Sequence, residues 1–345
     1  MSAVTRATVR EVARRAGVSP MTVSRVVNGG RRVKPETRLA VEQVIAAVGY
    51  VPNGLARGLT SRKTMVLGLM VPDVGNPFYS PVARGAESVA RRAGYRVLLC
   101  NSEGDLTYEG EYIADMLRHR VEGLLIVPAS DESRVHLHRL DRAGTPYVLI
   151  DRSIPGVDAD VVQGDSIGGA RKLIEHLISL GQSRIAMLAE SELVSTSRDR
   201  RRGYREALQA AGLEPSPELL VETTVDLQGG YRGMQMLLDL HPRPTAVFAI
   251  NNLVAVGAVK AIRERGLNVP ADMALVAFDD IEHETALSPF LTVMPQPAET
   301  FGTIAAQLLL DRIAGRGPAV GRMVVLPSEL IVRESCGARL VRTTT

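Results

Sequence analysis

The sequence has no tryptophan, and phenylalanine and tyrosine give it an aromatic content of only 4%. It has two cysteines, Cys100 and Cys336, which are too few for a disulfide framework and match no zinc-knuckle spacing. Both lie in or beside apolar segments, as expected of reduced thiols in a reducing compartment. The six histidines are scattered along the chain, so the sequence predicts neither a metal site nor a bound cofactor.

Long apolar segments are also missing. No stretch approaches the roughly 20 residues that a membrane-spanning helix needs. Arg6, Arg10 and Glu11 interrupt the region where a secretory signal requires an unbroken apolar segment. We therefore expect a cytoplasmic protein without a membrane partner. A composition that is 45% apolar and 23% charged over 345 residues is typical of two or three folded domains.

The charge is unevenly distributed. Residues 1–63 contain twelve Lys and Arg against three Asp and Glu, whereas the remainder contains 29 against 35. A small basic end on a large acidic body is typical of a nucleic-acid-binding module. A solvated basic surface would give a similar count, so the charge supports this interpretation without establishing it.

The most informative motif is residues 9–28, VREVARRAGVSPMTVSRVVN, which predicts two short helices joined by a tight turn. Gly17 can adopt the positive φ that the turn needs, Ser19 is an expected helix cap, and Pro20 suits the first helical position. The side chains predicted to face inward are Val9, Val12, Ala13, Ala16, Val23, Val26 and Val27. Those predicted to face outward are Met21, Thr22, Ser24, Arg25 and Asn28. The pattern is a helix-turn-helix, whose second helix fits the major groove of DNA; an ordinary helical hairpin is the alternative.

After residue 63 the pattern changes to short apolar runs that alternate with helical stretches. The first runs are Met65–Val71, Arg96–Cys100, Gly123–Val127 and Tyr147–Ile150. A second series comprises Arg184–Ala189, Leu219–Glu222, Ala246–Ile250 and Ala274–Phe278. This alternation predicts two similar doubly wound halves, each with a parallel sheet. Ligands bind beyond the carboxyl ends of such strands, so two facing halves predict a cleft.

The motif in residues 9–28 resembles the N-terminus of the lactose-repressor (LacI/GalR) family of bacterial transcription regulators. The resemblance continues through residues 33–38, a third amphipathic helix with Leu39, Val44, Ile45 and Val48, and residues 49–59. In the remaining chain it is carried by Val71-Pro72-Asp73, Asn76-Pro77-Phe78-Tyr79, Gly203-Tyr204, Phe278-Asp279-Asp280 and Gln296-Pro297. It therefore covers nearly the whole sequence.

The resemblance implies an all-α helix-turn-helix headpiece and an α/β core similar to periplasmic binding proteins. The implied headpiece is residues 1–52, followed by a hinge helix and linker at 53–63, a core at 64–340 and a tail at 341–345. Within the core, the N-subdomain is predicted at about 64–162 and 294–321. The C-subdomain is predicted at about 163–293 and 322–340.

The resemblance also implies a function. We expect a DNA-binding transcription regulator, and more specifically a repressor, that binds a palindromic operator as a homodimer. A small-molecule effector, such as a sugar or related metabolite, would bind in the cleft of the core. We expect no enzyme activity.

The implied DNA contacts divide into three groups. Phosphate contacts are expected from Thr8, Ser19, Thr22, Ser24, Asn28, Thr37 and Tyr50, and base contacts from Pro20, Met21 and Arg25. In the hinge, Asn53 would cap a short helix with Ala56 in it, and Leu59 matches the leucine that wedges between base pairs in the minor groove. A flexible linker is the alternative, because Gly54 and Gly58 weaken a helix.

The implied effector contacts are Phe78, Tyr79, Asp151, Arg200, Asn251, Asp279 and Gln296. By contrast, Arg198, Arg201 and Arg202 are expected to be solvated or paired with acids. Where many relatives have an aromatic residue, this chain has Thr223-Thr224-Val225. A smaller or more polar effector is therefore expected.

Two other functions are consistent with parts of the sequence. The first is a small-molecule binding protein for transport. The second is an α/β hydrolase, because residues 164–168 spell G-x-S-x-G around Ser166. However, Asp279 and His283 lie too close in sequence to come from the separate loops that normally supply a catalytic acid and histidine.

Overall fold

The computed structural model describes residues 7–27, 33–50, 64–281 and 290–338. Internal contacts divide the chain into two compact units, Met1–Met65 and Val66–Thr345. We refer to the first as the headpiece and to the second as the core. The predicted hinge (53–63) and the predicted tail (341–345) lie outside the described residues.

The headpiece contains helices α1 (Val9–Arg15), α2 (Pro20–Val27) and α3 (Pro35–Val48) in its described part. Gly17 adopts a φ of +65°, and Ser19 Oγ accepts a hydrogen bond from the Thr22 amide at 3.1 Å. The predicted turn and cap are thus confirmed. The buried side chains that join the helices are Val12, Ala13, Val23, Val26 and Val41.

One position of α3 differs from the prediction. Leu39 is 58% exposed, whereas Val41 is fully buried. Val44, Ile45 and Val48 pack beside Val41 because they follow it at helical spacing. Leu39 precedes Val41 by two residues, about 200° around the helix, and therefore points away from the core. Its assignment to the apolar face was wrong.

The strands of the core lie in two parallel sheets. They are β1 (Val66–Val71), β2 (Arg96–Asn101), β3 (Gly123–Ile126), β4 (Tyr147–Ile150), β5 (Asp160–Gly164), β6 (Ile185–Ala189), β7 (Leu220–Glu222), β8 (Ala246–Ala249), β9 (Ala274–Phe278), β10 (Thr292–Met294) and β11 (Met323–Leu326). The first sheet has the order β11-β5-β4-β3-β1-β2, and the second has the order β10-β9-β8-β6-β7. The two predicted halves are therefore present, each built on one sheet.

Helices connect the strands and cover the sheets. They are α4 (Tyr79–Arg92), α5 (Leu106–Arg118), α6 (Arg134–Ala143), α7 (Ser166–Ser179), α8 (Ser195–Ala210), α9 (Leu227–Leu238), α10 (Asn252–Glu264) and α11 (Ala298–Ile313). Central strands such as β3, β4, β8 and β9 are buried along their whole length. Burial on both faces explains why these strands are continuous apolar runs rather than alternating ones.

Strand β11 corrects the predicted subdomain bounds. The sequence-based bounds assigned residues 322–340 to the second half, but Met323–Leu326 pairs with β5 in the first sheet. A four-residue apolar strand can extend the edge of either sheet, and its pairing is decided by contacts distant in sequence. The chain returns to the second half only afterwards, where Ile331 pairs with Val293.

Glycines allow α4 and α11 to cross closely. A methyl group on Gly302 would collide with the carbonyl oxygen of Val82, and one on Gly85 would collide with that of Glu299. Both obstacles are helix backbone, which cannot rotate aside as a side chain can. The two helices must therefore separate if either glycine acquires a side chain.

We expect Gly302→Ala to lower the free energy of unfolding of the core by about 1 to 3 kcal/mol, because over-packing forces backbone shifts. Urea denaturation measures the loss. The control is Gln307→Ala, which changes an exposed position of the same helix. Equal stability of Gly302→Ala and Gln307→Ala would contradict the close crossing.

Candidate functional site

The second helix of the headpiece presents a continuous exposed surface. Pro20, Met21 and Arg25 are exposed, and Met21 is 63% exposed. Thr22 and Ser24 are half-buried on the same helix. The side chains expected to face DNA thus remain outside the headpiece core.

Several predicted phosphate contacts also serve the headpiece itself. Thr8 caps α1 by accepting a hydrogen bond from the Glu11 amide at 3.3 Å. The Ser19 and Thr22 hydroxyls are hydrogen-bonded to each other at 2.9 Å. Thr37 lies half-buried in the first turn of α3, and Tyr50 packs against the headpiece core. The predicted contacts that lie outside the described residues are Asn28, Asn53, Ala56 and Leu59.

A cleft of about 610 Å³ is lined by residues from both halves of the core. The first half contributes the acidic side chains of Asp73, Glu103 and Asp151. The second half contributes those of Glu190, Glu222, Asp226 and Asp279. Two arginines, Arg152 and Arg200, also line it. This volume lies within the range of natural small-molecule sites.

Two of these aspartates occupy equivalent positions in the two halves. Asp151 directly follows β4, Asp279 directly follows β9, and their φ angles are +65° and +61°. Left-handed backbone is uncommon outside glycine, although aspartate tolerates it better than most residues. The backbone strain coincides with the predicted ligand site in both halves, as is common at binding sites.

Asp279 is buried and accepts a hydrogen bond from Gln296 Nε2 at 2.9 Å. Burial raises the pKa of Asp279 to about 6, although Arg200 and the Gln296 hydrogen bond act in the opposite direction. The charge of Asp151 raises this pKa further. Gln296, which we expected to contact the effector, lies behind Asp279 rather than in the lining of the cleft, and so positions that carboxylate.

Arg200 is 4% exposed and is fixed on two sides. Its guanidinium lies 3.9 Å from the centre of the Phe278 ring, and Nη1 donates to the Ile250 carbonyl at 2.7 Å. Nε is buried without a hydrogen-bond partner. A donor held in this way is oriented before any ligand arrives.

Both ends of the Asn251 side-chain amide form hydrogen bonds within the protein. Its Oδ1 accepts from the Val254 amide at 2.8 Å and caps α10, while its Nδ2 donates to the Val225 carbonyl at 3.2 Å. Asn251 still lines the cleft, and its Nδ2 has a second N–H that the Val225 carbonyl does not use.

In the described part of the chain, the aromatic side chains of the cleft lie on one side. Among the described residues that line it, Phe78 and Tyr79 are the aromatic ones, and both belong to the first half. Their rings meet edge to face with centroids 5.1 Å apart. Thr223, Thr224 and Val225 line the second half. At these positions the cleft is lined by hydroxyl and aliphatic groups rather than by an aromatic ring.

Arg152 is a site residue that the sequence reasoning missed. It is 6% exposed and donates through Nη1 to the carbonyls of Pro128 and Ala129, at 3.2 and 3.1 Å. Its Nη2 reaches Glu190 of the second half at 3.4 Å. Its position next to Asp151, at the end of a buried strand, was the available signal.

Three other arginines, which we expected to be either solvated or paired with acids, form ion pairs. Arg198 pairs with Asp131 at 2.8 Å, Arg201 with Glu222 at 2.7 Å, and Arg202 with Glu206 at 2.7 Å. Arg201 is nevertheless only 5% exposed. The adjacent Arg200 and Arg201 can both be buried because they have different partners: Arg200 binds the Ile250 carbonyl and Arg201 binds Glu222.

Hydrogen bonds connect the two halves beside the cleft. The Asp131 amide donates to the Leu193 carbonyl at 2.8 Å, and Arg198 binds the Asp131 carboxylate. The Ser153 amide donates to Ser195 Oγ at 3.0 Å. These bonds fix one arrangement of the halves, and any movement between them must break or replace these bonds.

The G-x-S-x-G segment has a structural explanation. Ser166 is the first residue of α7 and is 5% exposed. Asp165 caps this helix by accepting a hydrogen bond from the Gly168 amide at 2.8 Å. A methyl group on Gly168 would collide with the Asp165 carboxylate. The cap thus accounts for the aspartate and the second glycine.

None of the described helices combines the length and apolar character needed to cross a membrane. A helix-turn-helix headpiece, together with a core of two parallel-sheet halves around a ligand-sized cleft, defines the class of DNA-binding transcription regulators with a sensor domain. Comparison with known proteins identifies the family. Residues 8–53 match the model described as bacterial regulatory proteins, lacI family, and residues 174–336 match a periplasmic binding protein-like domain.

Individual proteins give the same result. The chain is 33% identical to the ribose operon repressor of Haemophilus influenzae over 95% of this chain and 98% of that protein. It is 35% identical to a structure described as a transcriptional regulator CelR-cellobiose complex, which it matches over 96% of this chain and 100% of the other, with a TM-score of 0.70. A structure of the Lac repressor dimer bound to operator and an anti-inducer has a TM-score of 0.81 at 27% identity, over 96% of this chain and 99% of that one. The protein belongs to the LacI family of bacterial regulatory proteins.

Proposed function

We propose that this DNA-binding regulator is a cytoplasmic repressor that binds a palindromic operator as a homodimer and responds to a small molecule in the cleft. The observation that carries the proposal is the cleft itself, where strand-end side chains from both halves converge on one volume. Relatives described as a ribose operon repressor and a cellobiose complex support a hydroxyl-bearing effector.

The headpiece residues supply the DNA contacts in this proposal. Arg25 is exposed on the outward face of α2, beside Met21 and Thr22. An arginine there can donate two hydrogen bonds to a guanine edge, whereas Pro20 and Met21 can make only apolar contacts. Pairing of two headpieces on a palindrome follows from the two-fold symmetry of a dimer.

Movement between the halves of the core would transmit the signal. An effector changes the balance between two arrangements only if it binds one of them more tightly. Phe78, Tyr79 and Asp151 lie on one wall, while Arg200, Asn251 and Asp279 lie on the other. A ligand that bridges both walls therefore favours one arrangement of the halves.

A direct experiment measures binding of the purified protein to genomic DNA fragments at one fixed salt concentration, with and without sugars, polyols and nucleobases. We expect saturable binding to a fragment with a palindrome, and a change in affinity with one compound. The direction of that change shows whether the effector releases or recruits the repressor. Weak, sequence-independent binding that any fragment competes away would contradict the proposal.

Arg25→Ala is expected to lower operator affinity by about 10- to 100-fold, corresponding to loss of one specific base contact. Lys172→Ala is the matched control, because Lys172 is an exposed cation on α7 of the core. An electrophoretic mobility assay compares both variants with the wild type. If both variants bind the operator equally well, Arg25 does not read bases.

A further inference from the structure

One contact between the two halves of the core lies outside the lining of the cleft. It joins the segment 128–133, which follows β3 in the first half, to the segment 190–195, which follows β6 in the second half. The Asp131 amide donates to the Leu193 carbonyl at 2.8 Å, and Arg198 Nη1 donates to the Asp131 carboxylate at 2.8 Å. We refer to Asp131, Leu193 and Arg198 as the side contact. Each of the three lies outside the described lining of the cleft.

Buried charged groups fix the segment of the first half. Glu109 in α5 is fully buried, and its Oε2 accepts hydrogen bonds from the Ala129 amide at 2.8 Å and from Ser133 Oγ at 3.0 Å. Arg152 Nη1 donates to the carbonyls of Pro128 and Ala129 at 3.2 and 3.1 Å. Buried charges are costly unless they have such partners. The segment is therefore held at both of its ends by side chains of its own half.

Helix α8 fixes the segment of the second half in the same way. Ser197 Oγ donates to the Glu190 carbonyl at 2.6 Å, and Arg201 Nη2 donates to the same carbonyl. Arg198 Nη1 donates to the Glu192 carbonyl at 2.7 Å. All three donors belong to the first two turns of α8. The side contact thus joins two segments that are each fixed by their own half.

Two further bonds cross between the halves near the side contact. The Ser153 amide donates to Ser195 Oγ at 3.0 Å, and Arg152 Nη2 lies 3.4 Å from Glu190 Oε2. The bond from Ser153 to Ser195 involves neither Asp131 nor Arg198. Because the segments on both sides are fixed, separation of the halves would break these bonds and the side contact in one step.

We propose that the side contact is a latch, which stabilises the arrangement in which the two walls of the cleft face each other and does so without touching the effector. Loss of Arg198 then raises the fraction of molecules in which the halves have separated. One consequence rests on the proposed function: the apparent affinity for an effector that bridges both walls scales with the fraction of molecules in the joined arrangement.

The alternative is an ordinary surface ion pair. The Arg198 side chain is 37% exposed, and exposed pairs contribute little to stability. In that case, removal of Arg198 would affect only its immediate neighbours. The latch instead predicts an effect on a bond in which Arg198 takes no part, and hydrogen exchange measures that difference.

The test is amide hydrogen exchange of the full-length protein without DNA or effector, followed by mass spectrometry of overlapping peptides. In Arg198→Ala we expect the Ser153 amide to exchange about five- to tenfold faster than in the wild type, as loss of a charge-assisted hydrogen bond between the halves allows. Amides bonded within one half should keep their rates. Suitable ones are those of Ser102, which donates to the Val71 carbonyl, and Ile250, which donates to the Leu188 carbonyl.

Arg202→Ala is the matched control, because it removes an arginine of the same helix that pairs with Glu206 within the second half. It should leave exchange of the Ser153 amide unchanged. Asp131→Ala should accelerate that amide as well, and the double variant Asp131→Ala with Arg198→Ala should be no faster than Arg198→Ala alone, since both changes release one latch.

Three results would overturn the proposal. The first is an unchanged Ser153 amide in Arg198→Ala, which would reduce the side contact to a local pair. The second is equal acceleration of the Ser102, Ile250 and Ser153 amides, which would mean a general loss of stability. The third is full additivity in the double variant.

The latch and the proposed function can fail separately, because neither DNA nor an effector enters the exchange measurement. Faster exchange in Arg198→Ala establishes the latch even if no DNA fragment binds specifically. Unchanged exchange removes the latch and leaves operator binding to its own test.

Discussion

Asp160→Asn is expected to lower the free energy of unfolding of the core by about 3 to 5 kcal/mol, the range found when one member of a buried ion pair is removed. Asp160 opens strand β5 and is fully buried. Its two oxygens accept from Arg312 Nε and Nη2 at 2.9 and 3.0 Å, and from Arg322 Nε and Nη2 at 3.1 and 2.8 Å. The Arg322 amide donates as well, at 2.7 Å.

This cluster joins segments that are distant in sequence. Asp160 belongs to β5, Arg312 to α11, and Arg322 directly precedes β11. Asparagine retains the shape, but it places an amide N–H₂ where a guanidinium donates, so two donors then face each other. The loss should therefore appear as destabilisation of the whole core in urea denaturation.

Asp239→Asn is the matched control. Asp239 pairs with Arg265 at 2.8 Å, but its side chain is 65% exposed. Exposed pairs contribute about 0 to 1 kcal/mol. If Asp160→Asn cost no more than Asp239→Asn, the buried cluster would not stabilise the core.

The same cluster predicts how stability depends on pH. Burial of Asp160 by itself raises its pKa, but the hydrogen bonds from Arg312 and Arg322 outweigh that effect and hold the pKa well below its usual range. A carboxylate whose pKa is lowered in the folded state stabilises the protein at pH values above its pKa in the unfolded chain, about 4. That contribution is lost as the pH falls below this value. Wild type should consequently lose more stability than Asp160→Asn between about pH 4 and about pH 2.

Arg152→Met is expected to have a second large effect, again about 3 to 5 kcal/mol of destabilisation. Burial alone lowers the pKa of a guanidinium, but the charges of Glu190 and Asp151 reverse this for Arg152. Methionine has a similar length and fills the space, yet it leaves these carboxylates without their cation. It also removes the hydrogen bonds that Nη1 donates to the carbonyls of Pro128 and Ala129.

Two further variants make this prediction specific. Arg118→Met is the control, since Arg118 is 74% exposed and should cost less than about 1 kcal/mol. Arg152→Lys restores the charge without the planar fork and should give an intermediate loss. A stability of Arg152→Met equal to that of Arg118→Met in urea would contradict a stabilising role of the buried guanidinium.

The parts of the fold that depend on local chemistry could be predicted from the sequence. Gly17 and Ser19 determine the turn between α1 and α2, because positive φ and a side-chain cap are properties of single residues. The buried strands were recognisable because each is a short apolar run between helical patterns. The resemblance to the LacI family also named Asp151 and Asp279 as expected effector contacts, and both directly follow strands of the parallel sheets.

Features that depend on distant partners could not be predicted. The edge to which β11 adds is determined by pairing with Val161 to Gly164, more than 150 residues earlier. Arg152 lies just after a buried strand, but only its carbonyl and carboxylate neighbours show why it is buried. Asn251 was expected to contact a ligand, but its hydrogen bonds with Val254 and Val225 depend on how the chain folds around it.

The left-handed backbone at Asp151 and Asp279 limits how this sensor can evolve. Only glycine, asparagine and aspartate adopt such a conformation at low cost, so most substitutions there would strain the strand ends. Asparagine is reached from aspartate by one nucleotide change and exchanges an anionic acceptor for a neutral donor and acceptor. Directed evolution of a biosensor from this protein should therefore find new ligand specificity by aspartate-to-asparagine exchange at these two positions before it finds it by bulkier replacements.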